Sequence, residues 1–253
     1  MKFRTLSRLI YLKKARHRRG HGIHSPFLFH LITSVIENRS RLPEYKIFRE
    51  LKFQALRLLE KNPDQAFTKI FHQFHIPFSK PRKLYRKVEL PLRYGKVVFR
   101  LIREFNPSVV IHYGPSLGVS QTVIALAVNQ TPVYQITDNI DYRIFCLKLL
   151  KDLIVPFINF LPEDSALPVK PEFIMINYPF DAEMSYKIIM KYLQKPGEND
   201  VLIIRGIHES EKMESIWHHT ILSENVRVSL DLFEIGIVIF RIGLQKENFI
   251  HRF

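Results

Sequence analysis

Residues 114–118, Gly-Pro-Ser-Leu-Gly, carry the spacing in this chain that most directly suggests chemistry. They follow the apolar run Val109-Val110-Ile111-His112-Tyr113 and precede a helical pattern that begins at Ser120, so they read as the loop between a strand and a helix. Such a loop leaves backbone N–H groups free at a helix N-terminus, and its glycines let a ligand approach the main chain closely. The same spacing also serves an ordinary turn, because every βαβ unit must turn here. Other reactive side chains offer less. His17, His21, His24 and His30 lie close in sequence, but Gly20 and Gly22 break the helical register that would aim them together, and no Asp or Glu stands beside them to complete a metal site. The lone cysteine, Cys146, excludes a disulfide framework and any cysteine-based zinc site, which fits a reducing compartment.

The composition permits a substantial fold around that loop. With 253 residues, 46% of them apolar, the chain can bury one large core or two unequal ones. No apolar run approaches the roughly 20 residues that a bilayer-spanning helix needs. Basic residues throughout residues 1–20 leave no uncharged segment for a signal peptide, so the expectation is a soluble, cytoplasmic protein. The net charge of +14 is uneven: residues 1–100 hold 24 Lys and Arg against 6 Asp and Glu, whereas residues 101–253 hold 14 against 18. This asymmetry predicts a basic, mainly helical region with an irregular linker over residues 1–90, followed by a globular domain over 91–253. A basic face suits phosphate, nucleic acid or an anionic membrane surface, and a plain solvated surface would look the same in sequence.

The elements that must position the loop follow from periodicity. Residues 1–19 hold eight basic and no acidic side chains, with Phe3, Leu6, Leu9, Ile10 and Leu12 between them, as in a basic amphipathic helix. Ser25 as N-cap and Pro26 at the first helical position open a second helix, continued by Phe27, Leu28, Leu31, Ile32, Val35 and Ile36. A third covers residues 44–61, with Phe48, Leu51, Ala55, Leu58 and Leu59 on one face. Residues 62–90 read as the linker: prolines at 63, 77 and 81, aromatic residues without period, and a basic cluster from Lys80 to Lys87. Beyond it, apolar runs at 109–113, 133–136, 157–160, 173–176 and 201–204 alternate with helical patterns at 94–105, 120–129, 142–153, 183–193 and 210–222. Alternation of this kind implies a parallel sheet buried on both faces. Two last runs, 226–233 and 235–241, lie so close that only a hairpin joins them.

Five parallel strands and a terminal antiparallel hairpin resemble the Rossmann-like, doubly wound α/β sheet of the class I S-adenosylmethionine (SAM)-dependent methyltransferases, and the resemblance spans residues 94–253. The chain is similar in particular to bacterial methyltransferase-like proteins in which a His-Gly-x-His-Ser-Pro-Phe segment, here residues 21–27, precedes the domain. Tyr94-Gly95-Lys96, Ser116-Leu117-Gly118, Ile207-His208 with Met213, Asp231-Leu232-Phe233 with Gly236, and the closing Arg252-Phe253 are similar as well. The resemblance implies SAM as cofactor, held by Gly114, Pro115, Ser116, Gly118, Asp138 and Asn177, and leaves His208 as the candidate base for methyl transfer, a position that a helix-capping or hydrogen-bonded histidine fills equally well.

The strand ends depart from that pattern. The first strand of the family ends Glu-x-Gly and here ends His112-Tyr113-Gly114. The acidic ribose acceptor after the second strand is Thr137, with Asp138 one place later. The Asp after the fourth strand is Asn177, and an Asp-Asp pair after the fifth is Arg205-Gly206. A divalent cation needs several hard oxygen ligands, so no metal is expected, and cofactor affinity is expected to be weak or lost. Two readings stay open. One is a metal-independent SAM-dependent methyltransferase with an unassigned small-molecule or macromolecular acceptor. The other is a catalytically inactive methyltransferase fold whose basic N-terminal half contacts an anionic partner such as nucleic acid. A nicotinamide-dependent enzyme fits less well, because the loop lacks G-x-G-x-x-G.

Overall fold

Local signals set the first helices of the computed structural model. Helix α1 (Phe3–Lys14) lies inside the expected basic segment. Ser25 accepts a hydrogen bond from the Leu28 N–H at 3.4 Å, and Pro26 takes the first position of α2 (Pro26–His30). The chain then runs without interruption into a π-helical turn, Leu31–Ile36, closed by the Glu37 N–H on the Ile32 carbonyl at 2.8 Å. The structure describes residues 3–15, 23–61, 69–70, 72, 77, 79–128, 131–151, 158–163, 165–167 and 170–253. His17 and His21 of the histidine cluster lie outside the described residues. The chain divides into two compact units, Arg39–Pro168 and Met1–Asn38 with Val169–Phe253.

In the unit Arg39–Pro168, α3 (Glu44–Lys61) buries Leu51, Ala55 and Leu59 along one face. The expected linker contains a helix, α4 (Pro81–Val88), and the reading of residues 62–90 as irregular is corrected there. Pro81 takes the first helical position, and Pro81, Leu84, Tyr85 and Val88 recur at intervals of three and four and are buried. The basic cluster supplies the other face, which hid the period. Leu84, Tyr85 and Val88 pack with Leu51, Ala55 and Leu59 and with Tyr142, Phe145 and Leu149 in one core. After α5 (Leu92–Phe105), strand β1 (Val110–Tyr113) leads through the glycine loop into α6 (Val119–Ala127). Then follow β2 (Val133–Ile136), α7 (Ile140–Leu150) capped by the Asn139 side chain, and β3 (Ile158–Leu161). The three strands are parallel in the order β3-β2-β1, with Val110 opposite Val133 and Tyr113 opposite Ile136.

The other unit contains β4 (Phe173–Ile176), α8 (Ala182–Leu193), β5 (Val201–Arg205) and α9 (Glu211–Leu222). Asp181 and Ser210 cap the two helices through the Met184 and Met213 N–H groups at 2.9 and 3.2 Å. Strands β6 (Val228–Asp231), β7 (Ile235–Ile239) and β8 (Glu247–Ile250) complete it in the order β4-β5-β7-β6-β8. The first pair is parallel, whereas β7 runs antiparallel to both β5 and β6. The expected hairpin therefore exists but does not end the fold: β8 pairs parallel to β6, from Val228 opposite Glu247 to Asp231 opposite Ile250. Without it β6 would present a bare edge of N–H and C=O groups.

Candidate functional site

The glycine loop is built on two backbone conformations that side chains avoid. Gly114 has φ +102° and Gly118 φ +98°. A Cβ at Gly118 would also stand 3.0 Å from Leu149 Cδ2 and 3.4 Å from Cys146 Sγ, so this glycine lets α7 pack against the loop. Burial, and after it the charge of Glu89, push the Cys146 thiol above its ordinary range, which disfavours the thiolate. The register carries Gly114 to the end of β2, where its N–H meets the Ile136 carbonyl at 3.0 Å. Asp138 stands two residues beyond Ile136, exposed, with Oδ1 accepting from the Glu163 N–H at 2.8 Å. The structure thus brings the expected loop residues and Asp138 to neighbouring strand ends of one unit.

The loop's donors do not face outward. The carboxylate of Glu89, 1% exposed, lies across the N-terminus of α6. Its Oε1 accepts from Leu117 N–H at 2.5 Å and Val119 N–H at 3.2 Å, and its Oε2 from Ser120 N–H at 3.0 Å and from the Ser120 hydroxyl. Ser116, expected to meet a cofactor, is buried instead, its Oγ 2.7 Å from Glu89 Oε1 and also against Gln121 Oε1. The polar chain continues: Gln121 Nε2 donates to Gln135 Oε1 at 3.0 Å, Gln135 Nε2 donates to the Gly114 carbonyl, and His112 Nδ1 pairs with Gln135 Oε1. An anion at a helix N-terminus, bonded to several N–H groups, is a strong arrangement. Here the protein supplies that anion itself. The residues therefore do not fit a ligand carboxylate at this N-terminus, and the charge of Glu89 opposes one.

Glu89, Gln121 and Gln135 belong to no motif of the sequence. One signal was available for the first: Glu89 is the only acidic residue between Asp64 and Glu104, beside a dense basic cluster, and so stands apart from a merely solvated face.

In the other unit, Asn177 and Arg205 follow the paired residues Ile176 and Ile204 at the ends of β4 and β5. Both are buried, and the Arg205 guanidinium donates to the Asn177 side-chain oxygen at 2.8 Å. The two positions where the resemblance implies carboxylates hold a cation and the neutral amide that accepts from it. His208 is built differently again. Its Nε2 lies 2.7 Å from Asp231 Oδ2, its Nδ1 lies 3.2 Å from Glu214 Oε1, and its ring stacks on Phe233 at 5.2 Å and 16°. Burial alone would lower its pKa, but hydrogen bonding and charge from Asp231, followed by Glu214, outweigh burial and hold it above the ordinary histidine value. An imidazole gripped by carboxylates at both nitrogens favours its cationic form and presents neither nitrogen to a substrate proton. Among the described residues no group of three or more His, Cys, Asp and Glu side chains is placed to hold a metal ion. Nor, among those residues, is any helix long and apolar enough to cross a membrane.

No family model matches the chain, and no curated protein matches it. Solved structures do. They include the O-methyltransferase TomG from Streptomyces achromogenes in complex with SAM, at TM-score 0.50 and 12% identity over 72% of this chain and 92% of that one. The O-methyltransferase from Bacillus cereus in complex with S-adenosylhomocysteine (SAH) matches at TM-score 0.53 and 10% identity, over 72% and 93%. SAH-bound methyltransferase PaMTH1 from Podospora anserina matches at 0.51 and 9%, over 81% and 98%. At these identities the likeness is one of fold: the chain has the α/β, Rossmann-like architecture of SAM-dependent methyltransferases.

Proposed function

We propose that this chain is a SAM-dependent methyltransferase-like protein that takes no metal, with residues 91–253 as its methyltransferase-like domain. The observation that carries the reading is the glycine loop between β1 and α6, set at the end of β2 beside exposed Asp138, in a chain with the methyltransferase fold. Fold alone does not assign chemistry, so the site residues must bear the argument. Asp138 suits ribose hydroxyls as an acceptor. At the N-terminus of α6 the Leu117, Val119 and Ser120 N–H groups are held by Glu89, which takes them from the cofactor's amino-acid carboxylate.

A second reading is favoured by that same Glu89 contact together with the doubly paired His208. In it the fold is retained for binding without catalysis, and the basic residues 1–100 contact an anionic partner. Calorimetric titration of the whole chain with SAM and with SAH, each with and without magnesium, separates the two. Heat of binding that is unchanged by magnesium supports the first reading. Absence of binding for both compounds supports the second. Binding that requires magnesium would overturn metal independence.

A further inference from the structure

We propose that the outward face of α1 is a docking surface for an anionic lipid bilayer. An amphipathic helix on a globular unit turns its aliphatic stripe inward. Helix α1 does the reverse. On the side that faces the unit Met1–Asn38 with Val169–Phe253, spaced by three and four residues, stand Arg4, Ser7, Arg8, Tyr11 and Ala15; Ser7, Tyr11 and Ala15 are buried, and half-buried Arg4 and exposed Arg8 reach partners in the unit with their guanidinium groups. The Arg4 guanidinium bonds to the carboxylates of Glu209 and Glu234. Ser7 Oγ donates to Glu214 Oε2 at 3.3 Å, and the Tyr11 hydroxyl donates to the His251 carbonyl. The Tyr11 ring packs on Phe233 at 5.2 Å, and the Arg8 guanidinium lies 5.6 Å from the centre of the same ring.

Because polar partners anchor that face, the aliphatic side chains are left on the other one. Leu6, Leu9 and Ile10, at i, i+3 and i+4, are 47%, 50% and 43% exposed. Lys13 falls on the same side of the helix and is exposed, as is Lys14 beside it. The first acidic residue of the chain is Glu37, so nothing on this segment repels an anionic surface. Aliphatic side chains flanked by lysines suit the boundary between lipid headgroups and acyl chains, where apolar burial and attraction to anionic headgroups act together. Nucleic acid would reward the cations and leave the leucines unburied. A second copy of the same face would set the lysines against one another. The lipid surface is the partner that uses both features.

The test is co-sedimentation of the whole chain with vesicles of phosphatidylcholine alone and of equimolar phosphatidylcholine and phosphatidylglycerol. Two variants accompany it, Leu6→Ser/Leu9→Ser/Ile10→Ser and Lys13→Glu/Lys14→Glu. All five side chains are exposed, and unchanged thermal unfolding verifies that the fold is kept. The natural chain is expected to bind the anionic vesicles and not the neutral ones, with binding reduced by added salt. Each variant is expected to lower the partition coefficient by about tenfold or more. Three results overturn the proposal: no binding to anionic vesicles, full binding by the serine variant, or serine-sensitive self-association in gel filtration without vesicle binding. Retention on heparin that the serine variant keeps in full, with no vesicle binding, would make the partner a polyanion instead.

Discussion

Replacing Glu89 with glutamine preserves the length and branching of the side chain and removes its charge and one acceptor oxygen. Oε1 receives the Leu117 and Val119 N–H groups, and Oε2 receives the Ser120 N–H and hydroxyl. Whichever way the glutamine amide turns, its NH2 faces backbone N–H donors that are buried. An unpaired buried donor costs about 1–3 kcal/mol, and losing a negative charge at a helix N-terminus adds about 0.3–1 kcal/mol. The sum, about 1.3–4 kcal/mol, corresponds to a fall in Tm of roughly 3–16 °C for a chain of this size. Glu89→Ala should be at least as destabilised, and it leaves the same N–H groups facing a space that a small carboxylate fits. Thermal unfolding in acetate, against chloride at equal ionic strength, measures this. Acetate is expected to recover part of the loss in Glu89→Ala and to leave the natural chain unchanged. A Glu89→Gln variant within about 0.5 kcal/mol of the natural chain, with no recovery specific to acetate in Glu89→Ala, would refute the claim that this carboxylate orders the loop.

Gly118→Ala should cost about 1–3 kcal/mol in urea unfolding, because it combines a left-handed backbone with a Cβ 3.0 Å from Leu149 Cδ2. A pKa of His208 raised above its unfolded value, about 6.5, makes its contribution to stability fully present below that pH and lost as pH rises through the folded value. The urea midpoint of the natural chain should therefore fall over that window relative to His208→Asn, and parallel pH profiles would remove the proposed clamp. Thr137→Glu should strengthen SAM binding about ten- to a hundredfold by restoring a charged ribose acceptor, measured by calorimetry. Magnesium should leave the Tm and the titration heats of the natural chain unchanged.

Much of the architecture was legible because its causes are local. Apolar runs name β4 and β5, which are buried along their whole length, and Ser25, Asn139, Asp181 and Ser210 cap their helices through N–H groups two or three residues away. Helix α4 carried its period as well, at Pro81, Leu84, Tyr85 and Val88, under a basic face that obscured it. Strand β8 carried too little: it is a short, partly exposed segment whose reason for being a strand is the edge of β6. The state of the site was decided by tertiary structure. The glycine spacing predicts free donors, and only the fold brings Glu89 from 31 positions before Ser120 to occupy them. His208 reads in isolation as a base or as a hydrogen-bonded histidine, and the fold makes it the second, because Asp231 and Glu214 reach its two nitrogens. Helix α1 shows the principle most plainly. A period of 3.6 residues defines two stripes, aliphatic and polar, without saying which faces in. Carboxylates at Glu209, Glu214 and Glu234, more than 200 positions along the chain, and the Phe233 ring against Tyr11 partner the polar one, because only the folded chain brings those groups beside it.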